Sequence, residues 1–216
     1  MYICKKLIQV NIIIENQILS PINIYAYYIH SHIIYIEKHD IYNKRTYRNR
    51  FIISSPNGPQ LISIPLKKGK TKKLFNQVEI SYDTNWIGRL GNTLKTAYGS
   101  SAFFEYFFID LMNIFALKYK YLFELNNSLR EYIFNILEID IPVNFTNNYG
   151  KYDNSAYFDL RDKHLPSIDL NTPAKRKTYP SVFDYKSNTI QNPSIIDLIF
   201  NMGKYGIEIL ENYPSK

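Results

Sequence analysis

Cysteine is nearly absent. The 216-residue chain holds only Cys4, which rules out an intramolecular disulfide and points to a reducing compartment. With one cysteine and four scattered histidines, a structural zinc site has too few ligands, and no metal is expected. Cys4 lies in an apolar context without a local base, so it is not a candidate nucleophile. No P-loop, no glycine-rich dinucleotide fingerprint and no nucleophile elbow occurs, and no cofactor is expected. Lys5 and Lys6 precede an apolar stretch, but Gln9 and Asn11 break it before it can serve as a signal-peptide core. No apolar run approaches the ~20 residues of a transmembrane helix. The expected address is the cytoplasm.

Hydrophobic residues at 45% and charged residues at 21% are close to globular averages, so a folded core is expected rather than disorder. The 20 tyrosines accompany an excess of Ile, Asn, Lys and Phe that AT-rich codon usage would produce. They are therefore not evidence for stacking on bases or sugars. The net charge of +7 favours anionic partners. Part of it sits in Lys67-Lys68-Gly69-Lys70-Thr71-Lys72-Lys73, which reads either as a solvated loop or as an anion-binding run.

Gln9 to Ile14 and His32 to Glu37 read as strands, with a short helix opened by Pro21 between them, so a βαβ unit is expected. Arg48 to Ile53 and Gln60 to Pro65 flank Ser55-Pro56-Asn57-Gly58, the composition of a tight turn, and predict a β-hairpin. Val78 to Tyr82 reads as a further short strand. Trp86, Leu90, Leu94, Ala97 and Tyr98 fall at helical spacing, as do Phe104, Phe107, Phe108, Leu111 and Phe115. Lys120 to Leu137 predicts an amphipathic helix. Asn144 to Gly150 reads as loop, and Tyr152 to Tyr185, with Pro166, Pro173 and Pro180, as a long segment able to close over a site. Ile195 to Glu211 predicts a final helix interrupted at Gly203. The fold class is α/β, with α+β as the alternative: a small mixed sheet with a hairpin, packed by several helices. One domain over 1–216 is expected, with residues 144–190 loop-rich and the C-terminal helix at 195–211.

The stretch from Glu37 through His39-Asp40, Tyr42, Lys44 and Arg48-Asn49-Arg50 looks like the signature of the WbqC-like family. The hairpin Pro56-Asn57-Gly58 to Ile64-Pro65, Trp86, Ala97-Tyr98-Gly99-Ser100-Ser101, Tyr179-Pro180-Ser181 and Asn192-Pro193-Ser194 to Gly203 continue the likeness. The resemblance implies a bacterial protein linked to O-antigen or other surface-polysaccharide biosynthesis, with transfer of an amino acid to a sugar as one suggestion. That link is an association of the family, not a mechanism. The chain departs from the family in two places. Leu90-Gly91 stands where His-Trp is frequent, and Ser101-Ala102 where Ser-Pro is common.

The densest polar cluster is His39 to Arg50. At the end of a strand, His39 beside Asp40 could supply general acid–base chemistry, or could be a surface histidine at a turn. Arg48 and Arg50, two apart on an expected strand, share a face and could grip a phosphate or carboxylate; alternatively they pair with acidic residues of the protein. Tyr42 and Lys44 could add donors. Asn49 then faces the opposite side and is expected to be a structural, hydrogen-bonded amide. Asp159, Arg161 and His164 form a second cluster, with Arg161 a further candidate for the anion. His30 and His32 alternate, but no third ligand is evident nearby. The reaction class that fits is a transferase acting on an anionic small molecule, such as a nucleotide-linked sugar. The alternative is a non-catalytic anion- or nucleic-acid-binding protein, although no recognition helix or RNA-binding signature is present. Oligomeric state is left open.

Overall fold

A computed structural model describes residues 10–68, 72–153, 156–171, 179–183, 190 and 192–213. Cys4, Gln9, residues 69–71 of the lysine run, and 172–178 and 184–189 of the long polar segment lie outside them.

The first strand, β1 (Asn11–Glu15), has Ile12, Ile13 and Ile14 buried. Burial of successive residues is the mark of an inner strand of a parallel sheet. Helix α1 (Ile22–Ile29) follows Pro21, and β2 (Ile34–Glu37) returns parallel to β1, as the predicted βαβ unit requires. The pairing runs from Ile12 opposite Ile34 to Glu15 opposite Glu37. Two further parallel strands complete the sheet: β5 (Val143–Phe145) beside β2, and β6 (Tyr157–Asp159) beside β1. The order is β5-β2-β1-β6.

The predicted hairpin is β3 (Arg50–Ile53) and β4 (Gln60–Ser63). In its loop Gly58 donates its N–H to Ser55 O at 3.0 Å and takes φ 102°, a conformation a side chain would disfavour. The hairpin forms a two-stranded sheet of its own. Backbone bonds from Ser194 N to Ile52 O and from Ile18 N to Tyr47 O fasten it to the rest.

Helices α2 (Trp86–Tyr98), α3 (Phe104–Ala116) and α4 (Leu122–Ile136) form where the apolar periodicity places them. The Asn85 side chain caps α2 by accepting from Gly88 N. Helix α4 also carries buried polar groups. Asn126 Nδ2 donates to the Asn16 and Arg48 carbonyls, and Arg130 donates to Asn16 Oδ1. These bonds fix the chain just after β1 and just before β3. The last helix breaks as expected, into α6 (Ile195–Met202) and α7 (Gly206–Glu211). At the break, a Cβ on Gly203 would meet Phe103 Cδ1 at 2.7 Å.

Three expectations are corrected. Val78 to Tyr82 is no ladder strand. It follows a 3-10 turn (Phe75–Gln77) and makes single bridges, Ile80 to Leu66 and Glu79 to Tyr121. It bonds two different segments for a residue or two each, which is too little to register as a strand. Asn144 and Phe145 belong to β5, because β2 offers an open edge that outweighs the poor strand propensity of asparagine. The polar segment from Tyr152 contains β6 and a short helix, α5 (Pro166–Leu170), begun by its proline.

Candidate functional site

The predicted site residues divide between two places. The first lies at the carboxyl end of the parallel sheet. The chain moves from β1 outward to β2 and β5, then crosses to β6 on the other side of β1. Such a reversal opens a crevice beyond the strand ends, the usual ligand position in open α/β sheets.

Glu15 and Glu37 occupy the last positions of β1 and β2, side by side and fully buried. Glu15 accepts from Gln17 Nε2 at 2.7 Å and from Asp162 N at 2.9 Å. Glu37 accepts from His39 N and the Thr146 hydroxyl, each at 2.8 Å, and from Arg161 at 2.8 Å. Asp159, at the end of β6, accepts from Arg161 Nε and one terminal nitrogen, and that terminal nitrogen also donates to Gly150 O. Every nitrogen of the Arg161 guanidinium is thereby engaged. Tyr149 and Tyr152 present ring faces to it at 4.9 and 5.3 Å.

Arg48 is the centre of this network. It precedes β3 rather than lying on it, and only 1% of it is exposed. It donates to Asp40 through Nε and a terminal nitrogen, and to Asp162 at 2.8 Å. The reading that pairs it with the protein's own acids is the one the geometry follows. Asp162 brings the second predicted cluster against the first.

Burial raises the pKa of Glu15 and of Asp40, and the nearby Arg48 charge only partly offsets it. Burial works against the Arg48 charge too, yet Glu15, Asp40 and Asp162 together hold its pKa above the ordinary value. Burial alone would raise Asp159, but its bonds from Arg161 leave it lowered. The raised pair has a consequence for stability. Between the ordinary carboxylate range and their folded pKa values, Glu15 and Asp40 bind more protons folded than unfolded. Their contribution is therefore fullest at low pH and falls as pH rises through the folded values. Glu15→Gln removes one of them. The unfolding free energy of the variant should then decline less between about pH 5 and 7 than that of the wild type. Urea titrations at both pH values read this, and an unchanged slope would rule out proton uptake at Glu15.

His39 is half-buried, and its ring makes no hydrogen bond to a described residue. Asp40 is committed to Arg48 rather than to this imidazole. His30 and His32 lie between α1 and β2, and among the described residues no group of three or more metal-ligating side chains occurs.

The second place is a cleft of about 680 Å³. Six cations line it: Lys44, Arg45, Arg50, Lys67, Lys68 and Lys73, with Glu79 as the one acid. Tyr42 N donates to Lys73 O, which draws one end of the lysine run against the His39 to Arg50 segment, and Lys67 N donates to Glu79 O, which ties the other end to the chain after the 3-10 turn. Glu79 pairs with Lys67 at 3.1 Å and Lys73 at 3.7 Å. Lys44, Arg45, Arg50 and Lys68 have no ion pair with a described carboxylate. The shielded Arg50 Nε has no hydrogen-bond partner among the described residues. Strand alternation misplaces Asn49, which precedes β3 and lines the cleft beside Arg50 instead of facing away from it; its amide makes the expected backbone bond, donating to Ile64 O at 3.0 Å, and accepts from the Tyr42 hydroxyl at 2.8 Å. It thereby fixes Tyr42 at the cleft wall. Burial raises the Tyr42 pKa, so its hydroxyl stays a neutral donor.

Arg50, Lys44 and Tyr42 therefore meet, while Arg48, Arg161, Asp40 and His39 gather at the sheet end. Sequence reasoning missed Glu15, Glu37 and Asp162. The first two carried a signal, since each is the acid that ends an apolar strand, Asn11-Ile12-Ile13-Ile14-Glu15 and Ile34-Tyr35-Ile36-Glu37.

No helix among the described residues is long and apolar enough to cross a membrane. No curated protein and no solved structure matches the chain. A family model described as the WbqC-like protein family matches residues 30–166. This span contains the entire basic cleft, the hairpin, α2 to α4, and the sheet-end residues from Glu37 to Asp162. The chain belongs to the WbqC-like protein family.

Proposed function

We propose that the basic cleft holds the phosphate groups of a phosphorylated substrate, a nucleotide-linked sugar being the class that fits. On this reading the protein is a transferase of surface-polysaccharide assembly that moves a small group, such as an amino acid, onto the sugar. One observation carries the reading: four cations without acidic partners face a concavity, and the shielded Nε of Arg50 lacks an acceptor. A buried donor without a partner is costly, and an anionic oxygen would satisfy it. His39, half-buried at the carboxyl end of β2 and not itself lining the cleft, is the candidate general base for a substrate that reaches from the cleft to the sheet end. Asp40 serves it indirectly, by holding Arg48 and with it the loop that carries His39, Tyr42 and Lys44. Arg161 takes the same kind of role through Glu37, whose other oxygen holds the His39 N–H.

Calorimetric titration with a panel of nucleoside diphosphate sugars tests the reading. Binding should weaken about 30-fold in Arg50→Ala, the loss of one charge-assisted pair of bonds. The melting temperature should stay within about 2 °C, because Arg50 is partly exposed and holds no internal ion pair. No binding across the panel, or binding indifferent to Arg50, would sink it. Lys67, Lys68 and Lys73 also line the cleft, which keeps a nucleic-acid ligand as the second reading. A single-stranded RNA that binds more tightly than any nucleotide sugar, with a steep loss in salt, would favour that alternative.

A further inference from the structure

The basic cleft changes character along its length. Arg50 pairs with Ser63 across the hairpin, and Lys67 N bonds to Glu79 O. The backbones of Arg50 and Glu79 are therefore set apart by the segment from Ser63 to Lys67, at most about 14 Å of extended chain. Ile64 and Leu66 lie on that segment and line the cleft together with Val78. Ile64 and Val78 are buried, so the floor of this stretch is apolar.

Glu79 is the only acid among the described residues that line the cleft. Its Oε2 accepts from Lys67 Nζ at 3.1 Å, and its Oε1 faces Lys73 Nζ at 3.7 Å. The bond from Lys67 holds its pKa below the ordinary carboxylate value, and the charges of Lys67, Lys73 and Lys120 add to this, so the acid is ionised at neutral pH. Each carboxylate oxygen carries two lone pairs, so each can accept a further bond. At this position a phosphate would meet a like charge above an apolar floor, and neither stabilises it. A neutral group with two adjacent donors is what the position suits.

We propose that Glu79 accepts two neighbouring hydroxyls of the sugar ring joined to the diphosphate, while Arg50 holds the phosphates. The proposal rests on the reading of the cleft as a phosphate site. Adjacent ring hydroxyls present two donors that the two oxygens of one carboxylate accept together, and an acid plays this part toward ribose in dinucleotide-binding folds. The C–H face of the ring then lies on Ile64, Leu66 and Val78. On either side of a diphosphate the first group met is a sugar ring, and the short span from Arg50 to Glu79 favours that ring over a base beyond it.

Calorimetric titration of the full chain tests this with two ligands: inorganic pyrophosphate, which has no hydroxyl donors of a sugar, and the nucleoside diphosphate sugar that binds tightest. Glu79→Gln should bind pyrophosphate about threefold more tightly, because a like charge is gone. The same variant should bind the nucleotide sugar about tenfold more weakly, because a charged acceptor is gone. Its melting temperature should stay within about 2 °C, since exposed ion pairs contribute little. Glu79→Asp, which keeps the charge but shortens the reach, serves if that variant is unstable: it should weaken the sugar ligand and leave pyrophosphate unchanged. Changes of the same sign for both ligands overturn the proposal, because Glu79 would then act only on the lysines or on the phosphates. A loss confined to guanine nucleotides, whose neighbouring N–H donors also fit a carboxylate, overturns it too. The 2′-deoxyribose form of the nucleotide sugar separates the two rings: the Glu79→Gln loss disappears if the ribose is read and persists if the other sugar is. Pyrophosphate binding that depends on Arg50, beside a sugar ligand indifferent to Glu79→Gln, removes the role of Glu79 and leaves the phosphate site standing. Absence of binding by either ligand removes both.

Discussion

Arg48→Ala should lower the melting temperature by about 10 °C. Removing one partner of a buried ion pair costs about 3–5 kcal/mol, and each kcal/mol is roughly 2–4 °C in a chain of this size. The cost is large here because the arginine is shared. Glu15 and Asp40 are buried within its field, and Asp162 bonds to it directly. Truncation would leave Glu15 and Asp40 as uncompensated charges in a dry site. They would escape by taking up protons, so the deficit should shrink as the pH is lowered from 7 to 5. Arg48→Lys keeps the charge but not the fork that spans Asp40 and Asp162, and should fall between the two. Calorimetry at both pH values reads the effect. A loss under 2 °C at pH 7, or a deficit that grows on acidification, would show that the carboxylates do not depend on Arg48.

Asp197→Ala should be comparably severe, at about 3–5 kcal/mol. Asp197 is fully buried near the start of α6 and accepts the Tyr98 hydroxyl at 2.7 Å and the Tyr179 hydroxyl at 2.6 Å. Tyr98 accepts in turn from Ser54 N at 3.0 Å. Burial, reinforced by the Asp197 charge, pushes both tyrosine pKa values far up, so both remain neutral donors. Alanine would orphan two buried hydroxyls, open a void and release the end of β3 from α2 and α6. Asp197→Asn retains an acceptor and should lose only about 1 kcal/mol. Chemical denaturation of the three proteins gives the comparison. Equal stability of the alanine and asparagine variants would show that the hydroxyl bonds contribute nothing.

These two centres bear on what the family resemblance carries. Ala97-Tyr98 lies within the matched residues 30–166, Tyr179-Pro180 and Asn192 to Asp197 lie beyond them, and the polar members of the three stretches meet at Asp197. Asp40 and Arg48, from the densest stretch, hold each other. Much of the signature therefore serves to join elements, and the part that lines the basic cleft narrows to Tyr42, Lys44, Arg50 and the neighbouring lysines. The two departures fall elsewhere: Leu90 and Gly91 are buried on α2, and Gly91 faces Met112 and Phe108 of α3.

Local chemistry determined the elements. The β-branched run at Ile12 to Ile14, the turn at Ser55 to Gly58, the heptad-like spacing of α2 to α4 and the break at Gly203 are each readable within a dozen residues, because dihedral preference and periodic burial are short-range effects. The hydrogen-bonded state of Asn49 was anticipated too, but not its face: alternation sets it opposite Arg50, and it lines the same cleft. Three matters depended on chain-distant partners. Val143 to Phe145 and Tyr157 to Asp159 become strands only because β2 and β1 offer them edges. Arg48 and Arg50 part because Asp162, far along the chain, reaches the first and not the second. The cleft exists because the pairing of Arg50 with Ser63 and the backbone bond from Tyr42 to Lys73 bring the two ends of the lysine run to the same side as Arg50. A guanidinium reads the same in sequence whether it meets a carboxylate of its own chain or open space. Only the folded arrangement of charge, which acts through space rather than along the chain, separates the arginine that holds acids of its own chain from the one that has no ion pair among the described residues.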